Sequence, residues 1–524
     1  MPGDYLYALE YMRIHIDALD VDLLPSGTVE IPLRISVVAQ PPPEPPPQPP
    51  PPGPPPPEPP PAPLHPPGTP PPPVPPFGGK LYRVSKSFDA QAIQKIIDGL
   101  KPGDEVVFDN DVSVTGQFTF PPQPSQAEPI VLRAEAPPVG MPDVNAQLPR
   151  FSSQGPFVFA FPELASGYSL IGLRIMPSSA TANAIMCGFG QIADAVKLPS
   201  RLHFDRLLIV GTFRARRGIA LNCGSAIVQR CRIIGFFSDV EAQAIAAWNA
   251  TGPFVIRENY LEAAGEVIIF GGSPSLVPNN PRNILIVNNV ITKDLAWRKA
   301  GISVKNLIEI NSGENILISG NRLSNSWAGQ QNGEAFVFTL RTEWPGAVKE
   351  IMVSDNVVDN VGAGCSILGG FSGAVKNIHF SNNIFRVNQA MGKGFGFQIL
   401  TGAKDIFILN NTVVGCKHVI VLDGPPETTP GDHGFTARYR IENLRFMKNI
   451  VEGVVFGRGL PAGQAPIDKF CAKAAFDSNL SASGGVPGSK QVNLADVLNP
   501  DLSVKPPWKC YGADPDGEAH WNDD

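Results

Sequence analysis

The feature that most constrains the fold of this chain is an internal repeat that runs through residues 200–460. Each unit is a short strand with alternating apolar residues, a polar turn containing asparagine, and a second short strand, as in ILIVNNVIT at 284–292 and IHFSNNIFRV at 378–387. Successive turns lie 27 to 38 residues apart. Such a unit cannot bury its apolar side alone, so units must stack on one another. The repeat therefore predicts an all-β solenoid of parallel strands.

The repeat places an asparagine at the same turn of each unit. Asparagine tolerates the left-handed backbone conformation, and its amide can hydrogen-bond to the same residue of the next coil. We predict that these side chains form a structural ladder and do not bind sugar. The ladder residues are Asn259, Asn289, Asn321, Asn356, Asn383, Asn411 and Asn449.

A proline-rich segment separates this body from the N-terminus. Residues 41–76 hold nearly half of the 57 prolines, whereas the chain as a whole is 43% hydrophobic and only 17% charged, which argues against general disorder. Proline lacks a backbone N–H and fixes φ, so residues 41–79 are predicted to be a polyproline II linker. A ligand for SH3-like domains is the alternative, but the length of the segment suits a spacer better.

Residues 1–40 form a separate short segment. Apolar residues occupy every second position from Val29 to Val37, which is typical of a half-buried strand. Two or three such strands bury too little apolar area to be stable alone. We therefore expect a β segment for anchoring or oligomerisation, which pairs with another copy of itself or with a different protein.

Charge and hydropathy exclude several classes of protein. The net charge is −6 and no long basic run occurs, so nucleic-acid binding is not expected. No apolar stretch is long enough for a transmembrane helix, and the first residues lack the basic and apolar regions of a secretory signal. The cysteines are scattered without a CxxC pair, which indicates buried reduced thiols. We predict no metal site and no cofactor.

The ends of the body have their own patterns. Phe88, Ile93, Ile97 and Leu100 have helical spacing, and the KPGD that follows ends the helix. This helix, with PGDEVVF after it, resembles the N-terminal cap of a right-handed parallel β-helix. Residues 461–524 leave the repeat and are predicted to form a C-terminal cap and tail.

The repeat units, together with EAQAIAAWNATGPFVIRENYLEAAGEVIIFGG and VKNLIEINSGENILISGN, resemble the pectate-lyase-like right-handed parallel β-helix superfamily. The resemblance covers residues 80–460 and implies a single-stranded right-handed parallel β-helix. More narrowly, these segments are similar to a group of bacterial β-helix proteins without assigned chemistry.

The layout of short segment, stiff spacer and β-helix resembles that of bacteriophage spikes and fibres. It implies that residues 1–40 bind a capsid or tail protein and that the body meets cell-surface polysaccharide. A homotrimer on the virion surface is the expected form. A bacterial surface adhesin is an alternative.

The resemblance also implies candidate catalytic residues, although we expect a protein without enzymatic activity. One lyase branch of the superfamily uses a lysine and an arginine about one coil apart to remove a proton beside a uronate carboxylate. Lys305 in ISVKNLIEI and Arg341 in VFTLR are similar to this pair, and Glu309 would assist them. The alternative for Lys305 is a structural salt bridge, for example with Glu309.

A glycoside hydrolase is a further alternative, since hydrolases of this fold use two or three carboxylates. The candidates are Glu258, Glu262, Glu266, Asp294, Glu309 and Glu334.

Aromatic and amide residues are concentrated in one window, which indicates a glycan site if neighbouring coils align them. The alternative is that the tryptophans pack the loops against the solenoid. The candidate glycan-binding residues are Trp248, Asn249, Trp297, Trp327, Gln330, Gln331 and Asn332.

Overall fold

The computed structural model describes residues 78–124, 128–179, 182–189, 192–212, 214–238, 241–278, 280–340, 346–369, 375–423 and 440–513. The predicted N-terminal β segment and most of the polyproline linker lie outside these residues, as do Arg341 and the acidic end of the chain.

Three all-parallel sheets build the described body, and the chain passes through sheets A, B and C in turn in each coil. Sheet A has 14 strands, sheet B has 14 and sheet C has 12 among the described residues. This topology fits a right-handed β-helix, and the predicted parallel β-helix is confirmed.

The strands of sheet A are Leu81–Val84, Glu105–Phe108, Ile130–Ala134, Tyr168–Ile171, Leu202–Asp205, Ala226–Gln229, Phe254–Arg257, Arg282–Val287, Gly313–Ser319, Val348–Ser354, Val375–Ser381, Lys404–Leu409, Glu442–Met447 and Ala474–Asp477. Those of sheet B are Ser113–Thr115, Arg150–Ser153, Arg174–Pro177, Leu208–Val210, Arg232–Phe236, Tyr260–Ala263, Val290–Thr292, Arg322–Ser326, Val357–Val361, Ile384–Val387, Thr412–Val414, Ile450–Val451, Asn479–Ser481 and Ser489–Gln491. Those of sheet C are Phe118–Thr119, Phe157–Pro162, Asn183–Phe189, Arg217–Leu221, Gln243–Ala247, Ile268–Phe270, Ile308–Ile310, Glu334–Thr339, Ala363–Leu368, Phe395–Leu400, His418–Asp423 and Val454–Gly457.

Helices are few and short. The described residues contain α-helices at Ala90–Asp98, Leu295–Lys299, Gln464–Phe470 and Leu494–Val497, and a 3-10 helix at Ala195–Lys197. In the first helix, Ile93 and Ile97 are buried and join the main core, as their spacing predicts. None of the described helices combines the length and the apolar character needed to cross a membrane.

The ladder lies at the turn between sheets A and B. Asn289 receives hydrogen bonds from the backbone N–H and the Nδ2 of Asn259, at 3.0 and 2.9 Å. Asn289 repeats this pattern with Asn321, and the row continues at the same turn to Asn449 and one coil further, to Asn479. All of these side chains are buried.

The left-handed residue at this turn is not the ladder asparagine, as we expected, but the residue before it. Glu258 has φ 57°, Asn288 has φ 56° and Asp355 has φ 58°. The tight turn is therefore made one position earlier, which frees the asparagine to point inward and bond to the next coil.

The stacked strands continue past residue 460, where the repeat becomes unrecognisable in the sequence. Ala474–Asp477 extends sheet A, and Asn479–Ser481 with Ser489–Gln491 extends sheet B. The segment after them packs on this end of sheet B through a small core that includes Val497 and Val504. The stacked strands of sheets A and B therefore extend to residue 491. Six of the seven free cysteines are buried, and Cys510 is exposed.

Candidate functional site

The outer face of sheet C departs from the usual pattern of a solenoid. In strand Ile308–Ile310 both isoleucines belong to the core, so Glu309 between them points to the other face of the sheet. Its side chain should face solvent, yet Glu309 is only 1% exposed. The loops that lead from sheet B into sheet C cover this face with polar and charged groups.

Lys305 is the centre of the first group. Its Nζ lies 2.9 Å from Oε1 of Glu241 and 2.8 Å from Oε1 of Glu266. The remaining oxygens of both carboxylates accept hydrogen bonds from Nε2 of Gln243, at 2.5 and 2.8 Å. Burial alone would lower the pKa of Lys305, but Glu266 and Glu241 outweigh it and raise the pKa. Lys305 is thus an ammonium clamped between two carboxylates, and its partner is not Glu309.

Glu309 forms a second group surrounded by amides. Its oxygens accept hydrogen bonds from Nδ2 of Asn306 at 2.6 Å and from Nδ2 of Asn311 at 2.9 Å, and Gln331 lies at 3.4 Å. Burial raises the pKa of Glu309, the charge of Glu266 adds to this, and the amide donors oppose it. Glu241 differs: its burial is outweighed by Lys305, which lowers its pKa. The site therefore holds two carboxyl groups with pKa values shifted in opposite directions, upward for Glu309 and downward for Glu241.

A buried lysine holds the turn that carries Glu266. The Nζ of Lys293 donates to the carbonyl oxygens of Ala263, Ala264 and Gly265, at 3.0, 3.1 and 2.5 Å. Burial lowers the pKa of Lys293 to about 7, against the opposing charges of Glu266 and Glu262. Lys293 is 1% exposed, so it contributes to the site by fixing this turn.

Several buried polar atoms of this region have no partner within the described chain. On adjacent strands of sheet C these are Oδ1 of Asn183, Nε of Arg217 and Oε1 of Gln243, and beside Glu309 they are Oδ1 of Asn306 and Asn311. Buried polar groups nearly always have a partner, so an unpartnered one marks a place for water or ligand. With Nε of Arg216, the chain neighbour of Arg217, six of the ten such atoms in the described residues belong to this one region.

The predicted tryptophans do not form a common platform. Trp297 and Trp327 are 7% and 5% exposed and pack with Val304 and Met391 in a small core of the loops. Their rings are therefore unavailable for sugar stacking, and the packing alternative applies to them. Trp248 is half-buried, and the guanidinium of Arg217 lies 4.9 Å from its ring centre.

The predicted amide residues have separate roles. Asn249 is buried and bonds to the backbone of Ile192 and Val277, which ties two loops together. Gln331 accepts a hydrogen bond from Asn306, and Asn332 bonds to Glu334, while Gln330 is exposed. Of the predicted set, Gln331 alone contacts the Glu309 group within the described residues.

The other candidate acids are not gathered in the site. Glu258 is exposed at a left-handed position, Glu262 accepts the N–H of Gly235, and Asp294 accepts the N–H of Ala296 at the start of a helix. Glu334 is buried and bonded to Asn332, and burial raises its pKa.

The sequence reasoning did not identify Glu241, Gln243 or Arg217. Their available signal was a polar residue at or just before the start of a buried strand, as in RRGIAL and EAQAIAA.

The described residues contain no group of three or more His, Cys, Asp or Glu that could hold a metal ion. A cavity of about 600 Å³ lies at the C-terminal end of the body and is lined by Ala482 and residues 491–494. It has no charged side chain, so we place the candidate site on sheet C, where the charged network lies.

Comparison of the sequence with protein-family models and with curated proteins finds no match. Comparison with solved structures finds the PL6 family alginate lyase AlyGC, with a TM-score of 0.44 and 11% identity over 83% of this chain and 56% of the lyase. A tailspike mutant of E. coli bacteriophage HK620, in complex with pentasaccharide, gives 0.40 and 11% over 76% and 64%. The tailspike gp49 of Acinetobacter baumannii bacteriophage Fri1, a capsular polysaccharide depolymerase, gives 0.32 and 11% over 79% and 64%.

The chain thus spans between half and two thirds of the length of these proteins. The likeness concerns the course of the backbone.

Proposed function

We propose that this protein binds a cell-surface polysaccharide through the outer face of sheet C. The observation that carries the proposal is the set of buried, unpartnered polar atoms on Asn183, Arg217, Gln243, Asn306 and Asn311. Four of the five are amide oxygens, which need donors, and sugar hydroxyl groups are donors. A polysaccharide offers such groups at regular intervals, and parallel strands repeat every 4.7–4.9 Å or so along the solenoid.

The proposal extends to attachment. Residues 1–40 are too few to form a stable core of their own, and a proline-rich spacer follows them. We propose that they bind a capsid or tail protein, so that the β-helix is held away from a virion and meets the polysaccharide of the host surface. Purified virus particles should then contain this protein. Particles produced with a variant that lacks residues 1–40 should not contain it.

Binding is tested with the labelled full-length protein and capsulated cells, compared with the same cells after the capsule is stripped. We expect binding to capsulated cells only, and a loss in Lys305→Met, because that change leaves Glu241 and Glu266 without their shared cation. The matched control is Lys349→Met, since Lys349 also bridges two glutamates, Glu314 and Glu350, but on sheet A. Equal binding by the two variants contradicts the site, and equal binding to stripped cells contradicts the function.

A second function, cleavage of an acidic polysaccharide, is favoured by one specific observation. Lys305 lies between two carboxylates, the pKa of Glu241 is lowered by Lys305, and the pKa of Glu309 is raised by burial. Groups with protonation equilibria separated in this way suit general acid and base roles. In this proposal the Lys305 ammonium, with Arg341, neutralises the uronate carboxylate, Glu241, whose pKa is lowered, takes up the proton beside that carboxylate, and Glu309 assists.

Cleavage is distinguished from binding by its products. A lyase produces unsaturated uronates that absorb ultraviolet light, whereas a hydrolase releases reducing ends without this absorbance. Activity that survives both Lys305→Ala and Arg341→Ala contradicts the proposed catalytic residues, and capsulated cells that are bound but not degraded favour binding alone.

A further inference from the structure

The segment around Arg217 differs from those arginine sites of the body in which a carboxylate faces the guanidinium. Arg206 and Arg230 share the carboxylate of Asp205, and Arg133 pairs with Glu105. Arg217 forms no ion pair among the described residues, and its Nε has no hydrogen-bond partner. Its neighbour in the chain, Arg216, also has a buried Nε without a partner.

This arrangement costs free energy in the unliganded protein. The two guanidinium groups repel each other, and burial, with the charge of Arg216 adding to it, lowers the pKa of Arg217 to about 10. Partly buried like charges persist only where the fold holds them in place. Here the Trp248 ring lies against the Arg217 guanidinium, 4.9 Å away, and keeps it oriented.

The nearest carboxylates do not neutralise these arginines. Glu241 and Glu266 exert an opposing charge on Arg217, but all four of their oxygens are bonded to Lys305 or Gln243. Glu241 and Glu266 carry two negative charges, and Lys305 neutralises one of them. Arg216 and Arg217 carry two positive charges. The local surplus is positive, in a chain whose net charge is −6.

The neighbours of Arg217 add acceptors for hydroxyl groups. Arg217 is in register with Asn183 on one adjacent strand and with Gln243 on the other. Each of these amides has an oxygen without a partner. Adjacent strands are about 4.8 Å apart, which is close to the width of one sugar ring.

We propose that Arg216 and Arg217 form a subsite for the anionic group of an acidic sugar, whose hydroxyl groups donate to Asn183 and Gln243. This inference rests on the proposed function and adds the class of ligand, a polysaccharide bearing carboxylate or sulfate groups. Arginine suits both groups because its planar fork donates two parallel hydrogen bonds.

The full-length protein is tested by affinity electrophoresis in gels containing alginate for carboxylate, dextran sulfate for sulfate, or dextran as the neutral polymer. We expect retardation by at least one of the two acidic polymers and none by dextran, and the polymer that retards identifies the anion. Arg217→Gln is expected to weaken binding roughly tenfold or more, the loss of one charge-assisted pair. Arg216→Gln gives a second, independent variant.

The matched control is Arg322→Gln, which removes an exposed arginine on sheet B and should leave retardation unchanged. Thermal unfolding of each variant shows whether it is folded. Equal weakening by Arg322→Gln, or none in either arginine variant, overturns the subsite. If the protein binds dextran or host capsule and Arg217→Gln does not change this binding, the proposed subsite is overturned. The proposed function, binding of polysaccharide, is preserved. Binding to no polysaccharide, host capsule included, overturns both.

Discussion

At the scale of single residues, the body is held together by an amide that serves two coils at once. The Oδ1 of Asn356 accepts from the N–H and Nδ2 of Asn321, while its Nδ2 donates to Asn383 and to the carbonyl of Ile318. Asparagine carries a separate uncharged donor group and acceptor group on one short side chain. This explains why asparagine recurs although the surrounding loops vary.

We expect Asn356→Ala to destabilise the body by roughly 3 kcal/mol, because it leaves several buried groups without partners at a cost of about 1–3 kcal/mol each. The measurement is the urea midpoint followed by circular dichroism. Asn388→Ala is the control: Asn388 also bonds to an asparagine of the previous coil, Asn360, but is exposed. Its effect should stay below about 1 kcal/mol, and similar shifts in both variants would argue against the role of burial.

At the scale of elements, the loops between sheets B and C form a layer of polar and charged side chains over regular strands. Loops from consecutive coils bring Glu241, Glu266, Lys305 and Gln331 over one sheet. Trp297 and Trp327 stabilise this layer from one side as a core of their own. Lys293 fixes the turn before Glu266 by donating hydrogen bonds to its backbone carbonyl groups.

The titration of Lys293 makes a prediction about stability against pH. Its pKa falls from 10.5 to about 7 on folding, so below pH 7 the residue is protonated in both states and contributes no pH dependence. Between these values the unfolded chain binds a proton that the folded chain does not, and the free energy of unfolding rises with pH by up to about 1.4 kcal/mol per unit. Lys293→Met removes this rise.

The measurement is the unfolding free energy of wild type and Lys293→Met between about pH 7 and pH 9. The free energy of unfolding of the wild type, relative to that of Lys293→Met, should increase with pH. Lys349→Met serves as a control, because Glu314 raises the pKa of Lys349 and keeps its titration above this window. Parallel pH profiles for wild type and Lys293→Met would show that the buried amine is not responsible.

At the scale of the whole molecule, the chain separates into residues 1–77 and the unit Gly78–Asp524. The main core runs through the second unit from Val84 to Val486, so each coil is buried by its own neighbours. A solenoid of this kind is stabilised locally and needs nothing beyond its end coils.

A protein that begins at Gly78 should therefore fold alone, with a thermal midpoint within a few degrees of that of the full chain. Light scattering after size-exclusion chromatography should show an oligomer for the full chain, a trimer by our prediction, and a monomer for the shortened one. An unfolded shortened protein would contradict the autonomy of the body. An oligomer of unchanged size would place the association in the β-helix instead of in residues 1–40.

Periodicity alone was enough to predict the parallel β-helix, the ladder asparagines and the first helix. Periodicity is enough because every stacked coil needs apolar residues facing the core and a buried asparagine at the same turn, whatever the loops contain. The site was only partly predictable. Lys305 and Glu309 were identified as candidates, but the ion pair considered between them as an alternative does not form, and Lys305 instead bonds to Glu241, 64 residues earlier.

The sequence by itself thus determined the architecture, since alternating apolar residues and one buried amide per coil leave a chain no other way to satisfy its backbone and bury its surface. Only the tertiary structure decided which loop residues meet over sheet C. Loop lengths differ from coil to coil, so distance along the chain does not indicate which side chains become neighbours. Among the described residues, the pairing of Lys305 with two glutamates, the burial of Trp297 and Trp327, and the unpartnered Nε of Arg217 all follow from how these unequal loops fold back on equal strands.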